Sequence, residues 1–82
     1  MKDLVTYTEY IIKNICHESE LVKVELFESD EDSVILEVIV HNSDMANVIG
    51  KNGKIINAIR TLINAHSYLN DQKKVKINID SF

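Results

Sequence analysis

Hydrophobic residues along the chain change period several times, and polar or charged residues bound each change. Leu4, Val5, Thr8, Ile11, Ile12 and Ile15 fall on one side of a 3.6-residue repeat. Asp3 stands ahead of them as an N-cap and neither Gly nor Pro interrupts before Ser19, so the spacing predicts a first helix over Asp3–Glu18. Val22, Val24 and Leu26 then alternate with Lys23, Glu25 and Phe27, a period of two that predicts a strand, and the acidic run ESDEDS supplies a solvated turn closing a hairpin. Ser33–His41 reads SVILEVIVH, with Val34, Leu36, Val38 and Val40 on one face and Ile35, Glu37, Ile39 and His41 on the other; apolar residues on both faces suit an interior strand.

Asn42, Ser43 and Asp44 offer caps for a short helix over Met45–Ile49, which stops at Gly50-Lys51-Asn52-Gly53. A third helix over Lys54–Ser67 follows from Ile55, Ile59, Leu62, Ile63 and His66, with Ile56 beside them and Asn57, Arg60, Thr61 and Asn64 on the other sides. Asn70-Asp71-Gln72 reads as a turn, and Lys73–Asp80 as a strand with Val75, Ile77 and Ile79 inward and Lys74, Lys76, Asn78 and Asp80 outward. The order α-β-β-α-α-β makes the second and third strands parallel neighbours, because the crossover between them is long, while the hairpin pairs the first antiparallel. The expected fold is α+β, a three-stranded mixed sheet with three helices on one face.

Composition narrows the function classes. A chain of 82 residues buries only roughly 60 to 65% of its unfolded surface, so the expectation is one domain over 1–82 without a deep cleft between lobes. The lone Cys16 cannot form an internal disulfide, Asp3 and Glu9 interrupt the apolar stretch a signal peptide needs, and no apolar run approaches the ~20 residues that span a bilayer. The expectation is a cytoplasmic protein with no membrane partner. The net charge of -4 hides a split: three Lys face ten Asp and Glu from Met1 to Asn42, whereas six basic residues face three acidic ones from Ser43 to Phe82. Such asymmetry fits one anion-binding face and one other surface, or an unspecialised dipolar surface.

Chemistry concentrates at Gly50–Gly53, which holds the only two glycines. Glycine at both ends of Lys51-Asn52 lets the chain reverse tightly and a foreign backbone approach closely. The helix opening at Lys54 presents free N–H groups and a partial positive charge, to which Lys51 and Lys54 add. A bare G-x-x-G also fits an ordinary helix-turn-helix corner. Its context is more specific: Val48-Ile49 precede it, Lys54-Ile55-Ile56 and Ile59-Arg60 follow, and a strand flanks each helix.

The segment VIGKNGKIINAIRTLINA resembles the signature of the KH domain, and the element order resembles its type II arrangement. In length and order nearly the whole chain is similar to the small bacterial single-KH-domain proteins of the KhpA type. The resemblance implies binding of single-stranded RNA, with the phosphates of about four nucleotides along the loop and their bases in an apolar groove. Carried onto this sequence, it puts Gly50, Lys51, Asn52 and Gly53 in the loop. Val48, Ile49, Ile55 and Ile56 fall in the groove floor, some of them also core, and Asn70 to Lys76 in the opposite wall. Lys51 and Lys54, which have no packing duty, are candidates for phosphate attraction, and so are Lys73, Lys74 and Lys76 near the wall and Arg60 on the third helix, although these last four also fit an ordinary solvated surface. Asn47 stands where a basic residue would strengthen the site, which lowers the expected affinity.

The remaining residues suggest no enzyme. Cys16 and His17 are helical neighbours pointing about 100° apart with no third group, the three His residues lack metal-ligand spacing, and no phosphate-loop or dinucleotide motif occurs. The expectation is therefore a non-catalytic RNA-binding protein without cofactor or metal, acting in RNA fate, folding or post-transcriptional regulation. Single-stranded DNA is a weaker ligand candidate. The alternative is a protein-interaction adaptor: Phe27, Ile35 and Ile39 are placed on the sheet face away from the helices, and the resemblance implies pairing as a homodimer or with another KH-containing protein.

Overall fold

The structure, a computed structural model, describes residues 2–70 and 73–82, with side chains from Leu4 onward. Helix α1 (Lys2–Ile15) is followed by strands β1 (Lys23–Glu28) and β2 (Ser33–Val40), helices α2 (Met45–Ile49) and α3 (Lys54–Asn70), and strand β3 (Lys74–Ser81). Single turns of 3-10 helix cover Ser19–Leu21, Asn42–Asp44 and Lys51–Gly53. The sheet order is β1-β2-β3. β1 pairs antiparallel with β2 in the register Val24 to Val38 and Leu26 to Leu36, and β3 runs parallel to β2 with Val34 opposite Val75 and Leu36 opposite Ile77. The expected α+β architecture and mixed sheet are thus present, with β2 interior.

The even-numbered side chains of β2, Val34, Leu36, Val38 and Val40, have no exposed surface. They pack with Leu4 and Ile12 of α1, Val48 of α2, Ile56, Ile59 and Ile63 of α3, and Val75 and Ile77 of β3. Each such side chain contributes about 1.5–3 kcal/mol on burial, so β2 and the three helices share one core. Tyr7 of α1 stacks on His66 of α3, ring centroids 4.2 Å apart and planes 7° from parallel.

Several boundaries differ from the sequence reading. α1 ends at Ile15, three residues before Glu18. The N–H groups of His17 and Glu18 are taken by the two carboxylate oxygens of Asp44, each at 2.9 Å, which draws the chain out of the helix. Asp44 consequently makes no side-chain cap on α2, contrary to the role expected of it. α3 runs three residues past Ser67, with no Gly or Pro to stop it. Its core-facing residues are Ile56, Ile59, Ile63 and Ser67; Ile55 and Leu62 point outward, 39% and 50% exposed. The side chain of Asp3 and the turn residues Asp71 and Gln72 lie outside the described residues, while Asn70 closes α3.

Candidate nucleic-acid interface

The Gly50–Gly53 corner is built by three departures from ordinary backbone, at Gly50, Asn52 and Gly53. The Gly50 N–H still closes α2 by donating to the Ala46 carbonyl at 2.9 Å, but its φ of 75° and ψ of 172° lie in a region that is essentially restricted to glycine. Space imposes the same choice: a Cβ on Gly50 would sit 2.5 Å from Cγ1 and 2.8 Å from Cβ of Ile55. Asn52 is left-handed at φ 57° and ψ 26°, which a short amide side chain tolerates, and Gly53 follows at φ 74°. The Gly53 N–H donates to the Gly50 carbonyl at 3.1 Å, and the Lys54 N–H donates to the Lys51 carbonyl.

These internal bonds leave the corner open on one side. Among the described residues, the N–H groups of Lys51 and Asn52 donate to no backbone carbonyl, and both residues are exposed. They stand at the N-terminal end of α3 with the exposed Lys54 beside them, and no Asp or Glu occurs between Met45 and Asn70. Exposed donors, the end of a helix dipole and two lysines without a counter-acid make a surface suited to an anion.

The candidate floor splits into two layers. Ile49 and Ile55 are 37% and 39% exposed beside the loop, whereas Val48 has no exposed surface and Ile56 only 6%. The first pair can be touched by a ligand, and the second supports it from the core. A separate shallow cleft lies along β2 and β3, lined by Ser33, Ile35, Arg60, Lys74, Lys76 and Asn78 among others, and none of the loop or floor residues lines it. Arg60 is exposed, and one guanidinium nitrogen donates to Oδ1 of Asn57 at 3.1 Å.

α3 separates the loop from Lys73 and Lys74: a 17-residue helix is about 25 Å long, and these lysines follow its far end. They lie against the acidic hairpin turn. The Lys74 N–H donates to the Asp32 carbonyl at 2.9 Å, and Lys73 shares a hollow with Glu28, Asp30 and Glu31. The Asp30 carboxyl is held below its ordinary range chiefly by the backbone N–H of Asp32, then by the Ser33 hydroxyl, with Lys73 adding a smaller pull. Lys73 and Lys74 thus meet carboxylates that Lys51, Lys54 and Arg60 do not.

Two residues missed by the sequence reading position this surface. Asp44 is fully buried, and besides the His17 and Glu18 N–H groups it accepts a bond from the side-chain amide of Asn47 at 3.2 Å. It therefore ties the end of α1 to the start of the helix that ends at Gly50, and Asn47 has this structural partner in place of a charge. The Glu18 and His17 N–H groups hold the Asp44 carboxyl below its ordinary value against the effect of burial. Burial, followed by the nearby Asp44 charge, pushes the Cys16 thiol up, which disfavours the thiolate. Asn64 of α3 braces the outer edge of β3: its amide nitrogen donates to the Val75 carbonyl at 3.1 Å and its oxygen accepts the Val75 N–H at 2.9 Å. Ser67 Oγ donates to the Lys73 carbonyl at 2.8 Å, which satisfies a hydroxyl on the core face of α3. Nothing in the spacing of Asp44 or Asn64 signals these bonds, since both partners are distant in sequence.

A strand, two helices joined by G-x-x-G and a parallel return strand, preceded by a helix and an antiparallel strand, define a KH domain in the type II order. The model of the KhpA/KhpB KH domain matches residues 5–79, and the chain belongs to that family. It is similar to the RNA-binding protein KhpA of Clostridium perfringens, 42% identical over 96% of this chain and 99% of that one. The RNA-binding protein KhpA of Thermotoga maritima is 32% identical over 96% and 97%, and that of Borreliella burgdorferi 42% identical over 70% and 68%. No solved structure matches the chain. No helix among the described residues is long and apolar enough to cross a membrane.

Proposed function

We propose that this chain binds single-stranded RNA without catalysis, gripping the backbone of about four nucleotides over Gly50–Gly53 while bases lie against Ile49 and Ile55. The reading is carried by the N–H groups of the exposed Lys51 and Asn52 at the mouth of α3, which donate to no backbone carbonyl among the described residues and have no acid near them in sequence. The names of the relatives support it. Lys51, Lys54 and Arg60 supply charge along the strand, and Val48 and Ile56 hold the floor in shape from beneath. Lys73 and Lys74 draw phosphate more weakly, because the hairpin acids face them. The protein acts in the cytoplasm on RNA fate, folding or post-transcriptional regulation.

Fluorescence anisotropy with a short labelled RNA tests this. The double variant Lys51→Asp, Asn52→Asp should lose binding by tenfold or more and keep its circular dichroism, since both side chains are exposed. Unchanged affinity would refute the reading. Competition between matched RNA and DNA oligomers reports whether the 2′-hydroxyl is recognised. An adaptor role predicts instead that the loop variant retains every activity of the protein.

A further inference from the structure

The sheet face turned away from the helices carries two chemistries side by side. Val34, Leu36, Val75 and Ile77 are buried in the core, so the alternate residues Ile35, Lys74, Lys76 and Asn78 of the same strands face outward. Register sets these in rows across the sheet. Phe27, 49% exposed, stands opposite Ile35, and Ile35 stands opposite Lys76. In the neighbouring row Glu25 stands opposite Glu37, and Glu37 opposite Asn78. A row that reads aromatic, aliphatic, cation thus lies beside a row with two carboxylates. Ile35 and Lys76 of the first row also line the cleft along β2 and β3, to which Arg60 and Lys74 add two more cations and no lining residue adds a carboxylate. Among the described residues none of these three cations is ion-paired.

We infer that this row and its cleft form a second nucleotide site, on the opposite side of the sheet from the helices, which takes a base and phosphates of the same single-stranded RNA beyond the nucleotides held at the loop. The inference rests on the RNA reading of Gly50–Gly53. A base lies over the Phe27 ring and Ile35, since stacking on an exposed aromatic accepts any base, and its flanking phosphates meet Lys76 and Arg60. Lys74 contributes less, because the hairpin acids lie beside it. Arg60 links the two sites: it follows Lys54 by six residues, about 9 Å along α3, and lines the cleft. Carboxylates repel phosphate on both flanks, the hairpin turn on one side and Glu25 with Glu37 on the other, so the strand is confined to the line of Arg60 and Lys76.

The same surface suits a protein partner poorly. Ile39, the remaining apolar residue of this face, stands opposite Lys23 and Asp80 and is cut off from Phe27 and Ile35 by the Glu25 and Glu37 row. Two apolar side chains fall well short of the roughly 800 Å² that each partner of a specific complex buries. They match the size of one base.

Amide NMR of the nitrogen-labelled full chain tests the site with oligouridylates of about four and about ten nucleotides. The shorter RNA should shift the amides of Lys51, Asn52 and Ile55 alone. The longer one should also shift Phe27, Ile35, Lys76 and Asn78. By fluorescence anisotropy Phe27→Ala and Ile35→Ser should each weaken the longer RNA about fivefold or more, leave the shorter one unchanged, and keep the circular dichroism of the wild type. Lys76→Gln should reduce the logarithmic salt slope for the longer RNA by about 0.7. Shifts confined to the loop with both RNAs, or a longer RNA indifferent to Phe27→Ala, overturn the inference, return the sheet face to a protein partner and leave the loop reading in place. Shifts on the sheet face with none at Lys51 and Asn52 would refute the loop reading instead, and no shifts with either RNA would refute both.

Discussion

Replacing Gly50 by Ala separates the two demands that the loop makes on its first residue. At φ 75° and ψ 172°, a residue with a Cβ pays about 1–3 kcal/mol of backbone strain. The new methyl also lies 2.5 to 2.9 Å from three atoms of Ile55, including its Cβ, which cannot swing away without moving α3. Forced shifts of this kind cost about 1–3 kcal/mol. The sum, about 2–6 kcal/mol, compares with a total stability of about 4–12 kcal/mol for a domain of this length. Gly53→Ala meets only the first demand: its φ is 74°, but the nearest atom to an added Cβ is Asn57 Nδ2 at an ordinary 3.6 Å. That variant should cost about 1–2 kcal/mol. Urea unfolding followed by circular dichroism measures both, with the slope m unchanged if the unfolded states match. Melting temperatures should fall by about 4–8 °C for each kcal/mol. If Gly50→Ala proves no more destabilising than Gly53→Ala, the contact with Ile55 does not constrain the corner and the reasoning fails.

Asn64→Asp keeps an acceptor for the Val75 N–H but sets a second oxygen against the Val75 carbonyl, so it should destabilise by about 1–3 kcal/mol and more than Asn64→Ser, as read by thermal melts. Because the Asp44 carboxyl titrates below the ordinary 3.8 when folded, its contribution is present above that value and is lost as pH falls through the lower folded value. Asp44→Asn should therefore flatten the dependence of stability on pH below about 4, leaving the slope due to Asp30, which is lowered in the same direction; an unchanged acid-unfolding profile would contradict this. RNA affinity should fall with salt with a logarithmic slope of about −2 if Lys51, Lys54 and Arg60 are the three contacts, and neutralising Lys54 should reduce the slope by about 0.7, measured by anisotropy titration.

The element order, the interior place of β2 and the extent of α2 were legible because each rests on a local period: two for SVILEVIV, a glycine stop for MANVI. The outward face of α3 was not. Ile55, Leu62 and Leu69 share the helix with Ile56, Ile59 and Ile63, and two apolar stripes about a third of a turn or more apart merge in one sequence pattern. Only packing against the sheet decides which stripe is core. The end of α1 was hidden for a different reason, since it depends on Asp44, 26 and 27 residues away from the amides it binds. At the loop, glycine spacing gave the position of the corner, while the steric reason for Gly50 lies in a side chain five residues on. The lysines after α3 fit either a phosphate contact or a solvated strand edge in the sequence, and only their placement against the hairpin acids separates them from Lys51 and Lys54.

Asn64 gives the third strand something a neighbouring strand would otherwise provide. The Asn64 amide gives one N–H and its oxygen to Val75, as a peptide group would, while the nitrogen also donates to the Arg60 carbonyl at 3.0 Å, so a single side chain stands in for the first rung of a fourth strand. The sheet is thereby terminated where α3 crosses it, at a cost of one residue, and an extended peptide arriving from outside finds that rung already filled.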